Sequence, residues 1–187
     1  MTQLNNYLNF KVFLSYLVLS FPITFIVGSA IINLYLFFFL IYFIIKFNII
    51  YENSNKKIFI ITFLFWIYLV FNTIVNNYSL EKTYYIENIL KSIFFIRILI
   101  LPIVFSFIIE HYEIKKKTIF KIICVTCLII SLDIIFQFFT GNNILGFKSY
   151  NGGMRNPSFF NDEMISGSYL YHFYLISFYL FISKKKL

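Results

Sequence analysis

Residues 12–45 read VFLSYLVLSFPITFIVGSAIINLYLFFFLIYFII, 34 positions without a charge. A helix needs about 20 apolar residues to cross the hydrocarbon of a bilayer, whereas a helix lying on a soluble core keeps a polar stripe toward water. As one helix the stretch would run about 50 Å, too long for one crossing and barely enough for two. Gly28-Ser29-Ala30 near its middle, with Pro22 before and Asn33 after, is the natural place for a reversal. The reading is two short spans, about 12–28 and 31–46, with a single long kinked span as the alternative.

The pattern repeats along the chain. An apolar run over 58–75 follows Lys56-Lys57, one over 92–109 is interrupted by Arg97, one over 118–139 contains Asp133 and Gln137, and one over 166–183 ends at Lys184-Lys185-Lys186. Composition agrees: 60% of residues are hydrophobic and 13% charged, against about 45–50% and about 25% in soluble domains. A globule of 187 residues leaves much of its surface exposed and cannot hide that excess from water. The expected fold is all-α, a multi-spanning transmembrane helix bundle of about six helices in one domain, 1–187, with an outer loop over about 140–165. The first apolar run is too long for a cleavable signal peptide and lacks a small-residue cleavage site. No internal repeat or low-complexity linker divides the chain.

A net charge of +8 invites a nucleic-acid reading, but the lysines cluster between apolar runs, where positive-inside topology places them. One side collects Lys11, Lys46, Lys56, Lys57, Lys115, Lys116, Lys117, Lys121, Lys184, Lys185 and Lys186; the other holds Lys82, Lys91, Lys148 and Arg155. Eleven against four puts both termini in the cytoplasm and the loop after residue 139 outside. A single span over 12–45 would move only the N-terminus, and every later loop would keep its side.

Charges inside spans are costly, so Arg97 and Asp133 are the first candidates for chemistry. Each lies about six residues inside the outer end of its run, and a hydrogen-bonded pair would lower the desolvation cost of both. Gln137, at i+4 from Asp133, shares its face one turn nearer the outside. These residues read either as a polar track from the bundle to the outer loop or as a structural ion pair that fixes helix packing. The outer loop holds Gly141, Gly146, Gly152 and Gly153, which let backbone N–H groups converge on an anion, and Arg155 offers a planar fork for phosphate oxygens. The plain alternative is an ordinary interhelical loop with one solvated arginine. Asn161, Asp162 and Glu163 before Ser166-Gly167 read as acids in the first turn of a helix, with a catalytic carboxylate among them as the sharper reading.

Cys124 and Cys127 have C-x-x-C spacing within an apolar run, without a second pair or a nearby His, so they read as small packing residues rather than a redox or zinc motif. His111 beside Glu110 reads as a solvated boundary residue. His172, between Tyr171 and Tyr174, reads as packed in the bundle, with proton relay as the alternative. There is no H-x-x-x-H, nucleophile elbow or G-K-[ST] loop, so no metal site, no cofactor and no complete catalytic set is expected.

The pattern Asp133-x-x-x-Gln137-x-x-x-Gly141-x-Asn143-Ile144-x-Gly146, then Arg155, then Phe159-Phe160-x-Asp162-Glu163, then Gly167-x-Tyr169-Leu170 resembles the mid-region of bacterial O-antigen ligases and O-antigen polymerases. The resemblance extends loosely over the whole chain and is best over 133–170. It implies a membrane glycosyltransferase of lipopolysaccharide or surface polysaccharide synthesis. Such an enzyme takes a glycan from undecaprenyl diphosphate on the periplasmic face of the inner membrane. It also implies that Arg155, and with it Arg97, holds the lipid diphosphate; the catalytic residues stay unknown. Asn156-Pro157-Ser158 departs from the small residue or glycine that usually follows the loop arginine. Members are about twice this length and carry a large outer loop with a catalytic histidine in their C-terminal half. The expectation is therefore an N-terminal fragment, inactive alone, whose partner is that missing half. A small membrane subunit or transporter component without catalytic activity is the alternative from another class.

Overall fold

The computed structural model describes residues 2–76, 82–150, 155–160 and 165–184. Its elements are α1 (Thr2–Val27), α2 (Ser29–Ile45), α3 (Phe47–Asn53), α4 (Lys56–Asn76), α5 (Lys82–Phe94), α6 (Ile96–His111), α7 (Lys116–Thr140), a 3-10 turn at Ser158–Phe160, and α8 (Ser166–Lys184). Among the described residues, extended pairing is limited to two isolated antiparallel bridges, Asn142 with Lys148 and Tyr150 with Arg155. The protein is an all-α, multi-span membrane bundle.

The uncharged stretch that decides the fold is broken where its small residues lie. Gly28 adopts φ +124° with open space around its Cα, a conformation that residues with a Cβ rarely adopt. Helix α1 ends there and α2 starts at the next residue. The expected span over 31–46 is a 17-residue helix that bends by 83° into α3. Lys46 sits at the bend, outside both helices; a cation at that point keeps its charge out of the apolar run.

Among the described residues, four helical segments are long and apolar enough to cross a membrane: Asn9–Val27, Lys56–Asn76, Tyr84–His111 and Lys116–Thr140; the bent pair α2–α3 makes a fifth if it counts as one span. The sequence reading gave about six. The difference lies in α8, a 19-residue helix outside that set, because Tyr171, Tyr174, Tyr179, His172 and its serines dilute the apolar run. The run expected over 92–109 begins earlier than expected, at Tyr84. It is interrupted at Phe95, where α5 gives way to α6. Helix α5 carries an exposed Glu87–Lys91 pair at 2.6 Å, an i,i+4 contact that contributes a few tenths of a kcal/mol.

Two compact units divide the chain, residues 1–32 with 112–187, and residues 33–111. In the first, α7 packs against α8 and α1. Ile123, Ile130, Phe160, Tyr169 and Phe173 form the core, with Phe25 and Ile26 against it. Aromatic edges lock it: Tyr169 lies 4.4 Å from Phe173 and 5.4 Å from Phe160, ring centre to ring centre. In the second unit Phe39, Ile50, Val104 and Ile108 are the most buried apolar side chains, and Phe39 meets Phe105 edge-on at 4.9 Å. The Trp66 indole N–H donates to the Ile93 carbonyl at 3.1 Å, tying α4 to α5.

Candidate functional site

Helix α7 ends at Gly141, which takes the left-handed conformation (φ 78°) and donates its N–H to the Gln137 carbonyl at 2.9 Å. This is a glycine C-cap, favoured because no Cβ opposes the turn. The chain then folds back on the helix it has left. Asn143 donates its N–H to the Phe147 carbonyl, Gly146 to the Asn143 carbonyl, and Ser149 to the Gly141 carbonyl, at 2.8–2.9 Å.

What holds this turn is a knot of four buried polar residues: Asp133 and Gln137, both fully buried, Asn143 and Ser158. Asp133 and Gln137 lie on one face of α7, as their i,i+4 spacing requires. One Asp133 oxygen accepts the Ile144 N–H at 3.1 Å, and the other accepts the Ser158 hydroxyl at 2.5 Å. Gln137 donates through Nε2 to the Phe147 carbonyl at 3.0 Å and accepts the Ser158 N–H at 2.8 Å. Asn143 donates through Nδ2 to the Ser158 carbonyl at 2.7 Å and accepts the Phe147 N–H at 2.7 Å.

Ser158 is the residue that sequence reasoning missed. It is fully buried and sits at φ +57°, a conformation unusual for a residue with a Cβ. Its N–H, hydroxyl and carbonyl are each bound by a different one of the three partners, and these bonds offset the backbone cost. The available signal was its position directly after Pro157, which fixes the preceding φ. Tyr169, part of the Gly167-x-Tyr169-Leu170 pattern, donates its hydroxyl to the Pro22 carbonyl at 2.9 Å and joins α8 to α1. Ser166, at the start of α8, donates to the Asn156 carbonyl at 3.0 Å.

A buried carboxyl group needs hydrogen-bond partners, and two of those of Asp133, a hydroxyl and a backbone N–H, lie within the first unit. Arg97 is the second residue of α6, in the second unit. Its Nε is buried and has no hydrogen-bond partner among the described residues. Arg155 is exposed, with its backbone paired in both directions to Tyr150 at 2.9 and 3.2 Å. This pairing fixes the Arg155 backbone beside Tyr150. Gly152, Gly153, Asn161, Asp162 and Glu163 lie outside the described residues.

The remaining candidates take plainer places. Cys124 and Cys127 are half-buried free thiols that line, with Ser131, Tyr174 and Ser177, a groove of about 570 Å³ between α7 and α8. His172 is exposed and its Nδ1 lies 2.7 Å from the Ser168 carbonyl one turn back. His111 is exposed and stacks on Phe107 with ring centres 5.0 Å apart. Among the described residues no three His, Cys, Asp or Glu side chains gather as metal ligands would. Comparison with known protein families, curated proteins and solved structures finds no match.

Proposed function

We propose that the protein is an O-antigen ligase- or polymerase-like component of the bacterial cytoplasmic membrane, with both termini on the cytoplasmic side and the loop after α7 on the periplasmic side. It binds a glycan carried on undecaprenyl diphosphate, and the residue proposed to meet the diphosphate is Arg155. The observation that carries this reading is the anchoring of the Arg155 loop. A lipid diphosphate lies at the membrane surface and needs cationic donors held in place there, since donors that are already oriented pay no reorganisation. Arg155 follows a turn pinned to α7 by Asp133, Gln137 and Asn143, and its own backbone is paired to Tyr150. The motif around these residues and the excess of lysines on the opposite side support the same reading. Arg97, in the second unit, is the other cation that the sequence resemblance offers for a diphosphate.

In this reading Arg155 binds and positions the lipid diphosphate for glycan transfer. The test is complementation of a ligase-deficient strain by the protein. Glycan transfer that is abolished by Arg155→Ala and partly retained by Arg155→Lys is the expected result. No transfer, with the protein present in the membrane, sinks the enzymatic reading. The full engagement of Asp133 and Gln137 in holding a loop favours a second reading, a membrane subunit or transporter component without catalysis. In that case Arg155→Ala leaves surface glycan unchanged while Asp133→Ala lowers the amount of assembled protein.

A further inference from the structure

The turn at residues 142–148 does not stand off the end of α7. Ile144 is bonded through its N–H to Asp133, and Phe147 through its carbonyl to Gln137. Asp133 precedes Thr140, the last residue of α7, by two turns of helix, about 10 Å of axial rise. The turn therefore lies alongside the final two turns of a segment that is itself long and apolar enough to span a membrane. From Lys121 to the end of α7 the only strongly polar side chains are Asp133 and Gln137, and about 20 residues are needed to cross the hydrocarbon. Nothing shortens the span so as to leave Asp133 in water.

The turn also presents apolar side chains outward. Ile144 is 67% exposed and Leu145 63%, and Phe136, Phe138 and Phe139 near the end of α7 are exposed as well. Non-helical backbone is costly at membrane depth because its N–H and C=O groups find no water there. Here side chains from α7 and the turn take the place of water for part of that backbone. Asp133 takes the Ile144 N–H, Gln137 the Phe147 carbonyl, and Asn143 the Phe147 N–H. The Thr140 hydroxyl donates to the Asn142 carbonyl at 2.6 Å. Lys148, exposed and one residue past the last of these contacts, has a stem long enough to reach headgroup phosphates from that level.

We infer that this turn is a re-entrant anchor whose partner is the acyl-chain region of the lipid leaflet at the C-terminal end of α7, entered by Ile144 and Leu145. The inference is independent of what the protein acts on.

Spin labels in vesicles of phosphatidylethanolamine and phosphatidylglycerol test it, on the full chain with Cys124→Ser and Cys127→Ser. Leu145→Cys is compared with Leu132→Cys, on the exposed side of α7 beside Asp133, and with Asn55→Cys, in the polar turn between α3 and α4. The expected result is that the label at 145 matches the one at 132, with oxygen collisions exceeding those of a water-soluble nickel chelate. Adding Asp133→Ala should shift it toward the nickel-accessible behaviour of position 55; should that variant fail to insert, Asp133→Asn, which keeps one acceptor, serves the same comparison. Nickel accessibility at 145 equal to that at 55 in the parent protein overturns the proposal, and so does shielding from both reagents, which would mean that protein covers the turn. A label at 145 unmoved when the Asp133 bond is removed overturns the anchoring role of that bond.

Discussion

Ser158 concentrates two opposing costs in one position. A left-handed backbone costs a residue with a Cβ about 1–2 kcal/mol, while its N–H, hydroxyl and carbonyl are each bound by a buried partner. Ser158→Gly relieves the backbone and loses only the hydroxyl; Ser158→Ala loses the hydroxyl and keeps the strain. The alanine variant should therefore be the less stable of the two by about 1 kcal/mol, read as the difference in unfolding midpoint in mixed micelles. Equal midpoints would mean that the positive φ carries no strain. Asp133→Ala is a harsher change because it strands the Ile144 N–H and the Ser158 hydroxyl together. Each stranded group costs about 1–3 kcal/mol, so a loss on the order of 2–6 kcal/mol is expected, with Asp133→Asn falling between that variant and the parent.

Asn55 caps α4 by accepting the Lys57 N–H at 3.0 Å, whereas neither α3 nor α7 has a side-chain N-cap; α7 opens on Lys116-Lys117, which opposes its dipole but keeps charge on the lysine-rich side of the apolar run. The C-terminus of α7 depends on Gly141. A Cβ there meets no atom within 4 Å, so Gly141→Ala should cost only the backbone term, about 1 kcal/mol. It should also weaken the start of the turn, seen as faster hydrogen exchange at Ser149, whose N–H bonds to the Gly141 carbonyl. An unchanged exchange rate would mean that the turn is held by the polar knot alone. Pro102, inside α6, removes the N–H that would have reached the Ile98 carbonyl. Pro102→Ala should therefore raise the stability of the second unit, read as a higher melting temperature. A lower one would show that the proline shapes packing that the second unit needs.

The whole chain is a membrane protein whose polar side chains are spent mostly on holding backbone. Its expected crossings and observed helices agree for the runs at 12–28, 58–75 and 118–139, because uncharged length is a property of composition that no packing can reverse. They diverge where a run is short, bent or tyrosine-rich. Helix α8 is the informative case, since its serines, tyrosines and histidine leave it a long helix of modest apolarity. Cysteine accessibility at Tyr179, 71% exposed, decides its environment. Protection from water-soluble maleimide after Tyr179→Cys, in a protein lacking Cys124 and Cys127, is expected of a helix in lipid; rapid labelling would place that face in water.

Uncharged runs and clustered lysines made the membrane bundle legible from the sequence, because lipid solvates apolar surface whatever the helix arrangement. The stretch from Asp133 to Leu170 was likewise legible as the polar part of the chain, and so was the common face of Asp133 and Gln137, which helical periodicity dictates. The partners of those residues were not legible. Charge logic pointed Asp133 toward Arg97, which belongs to the other unit; the hydroxyl and backbone N–H that bind Asp133 within its own unit carry no charge to announce them. A carboxylate in an apolar helix announces that it needs donors, but which donors arrive depends on how the chain folds back on itself. Ser158, Asn143 and the turn they hold became a site only when Gly141 sent the chain back along α7.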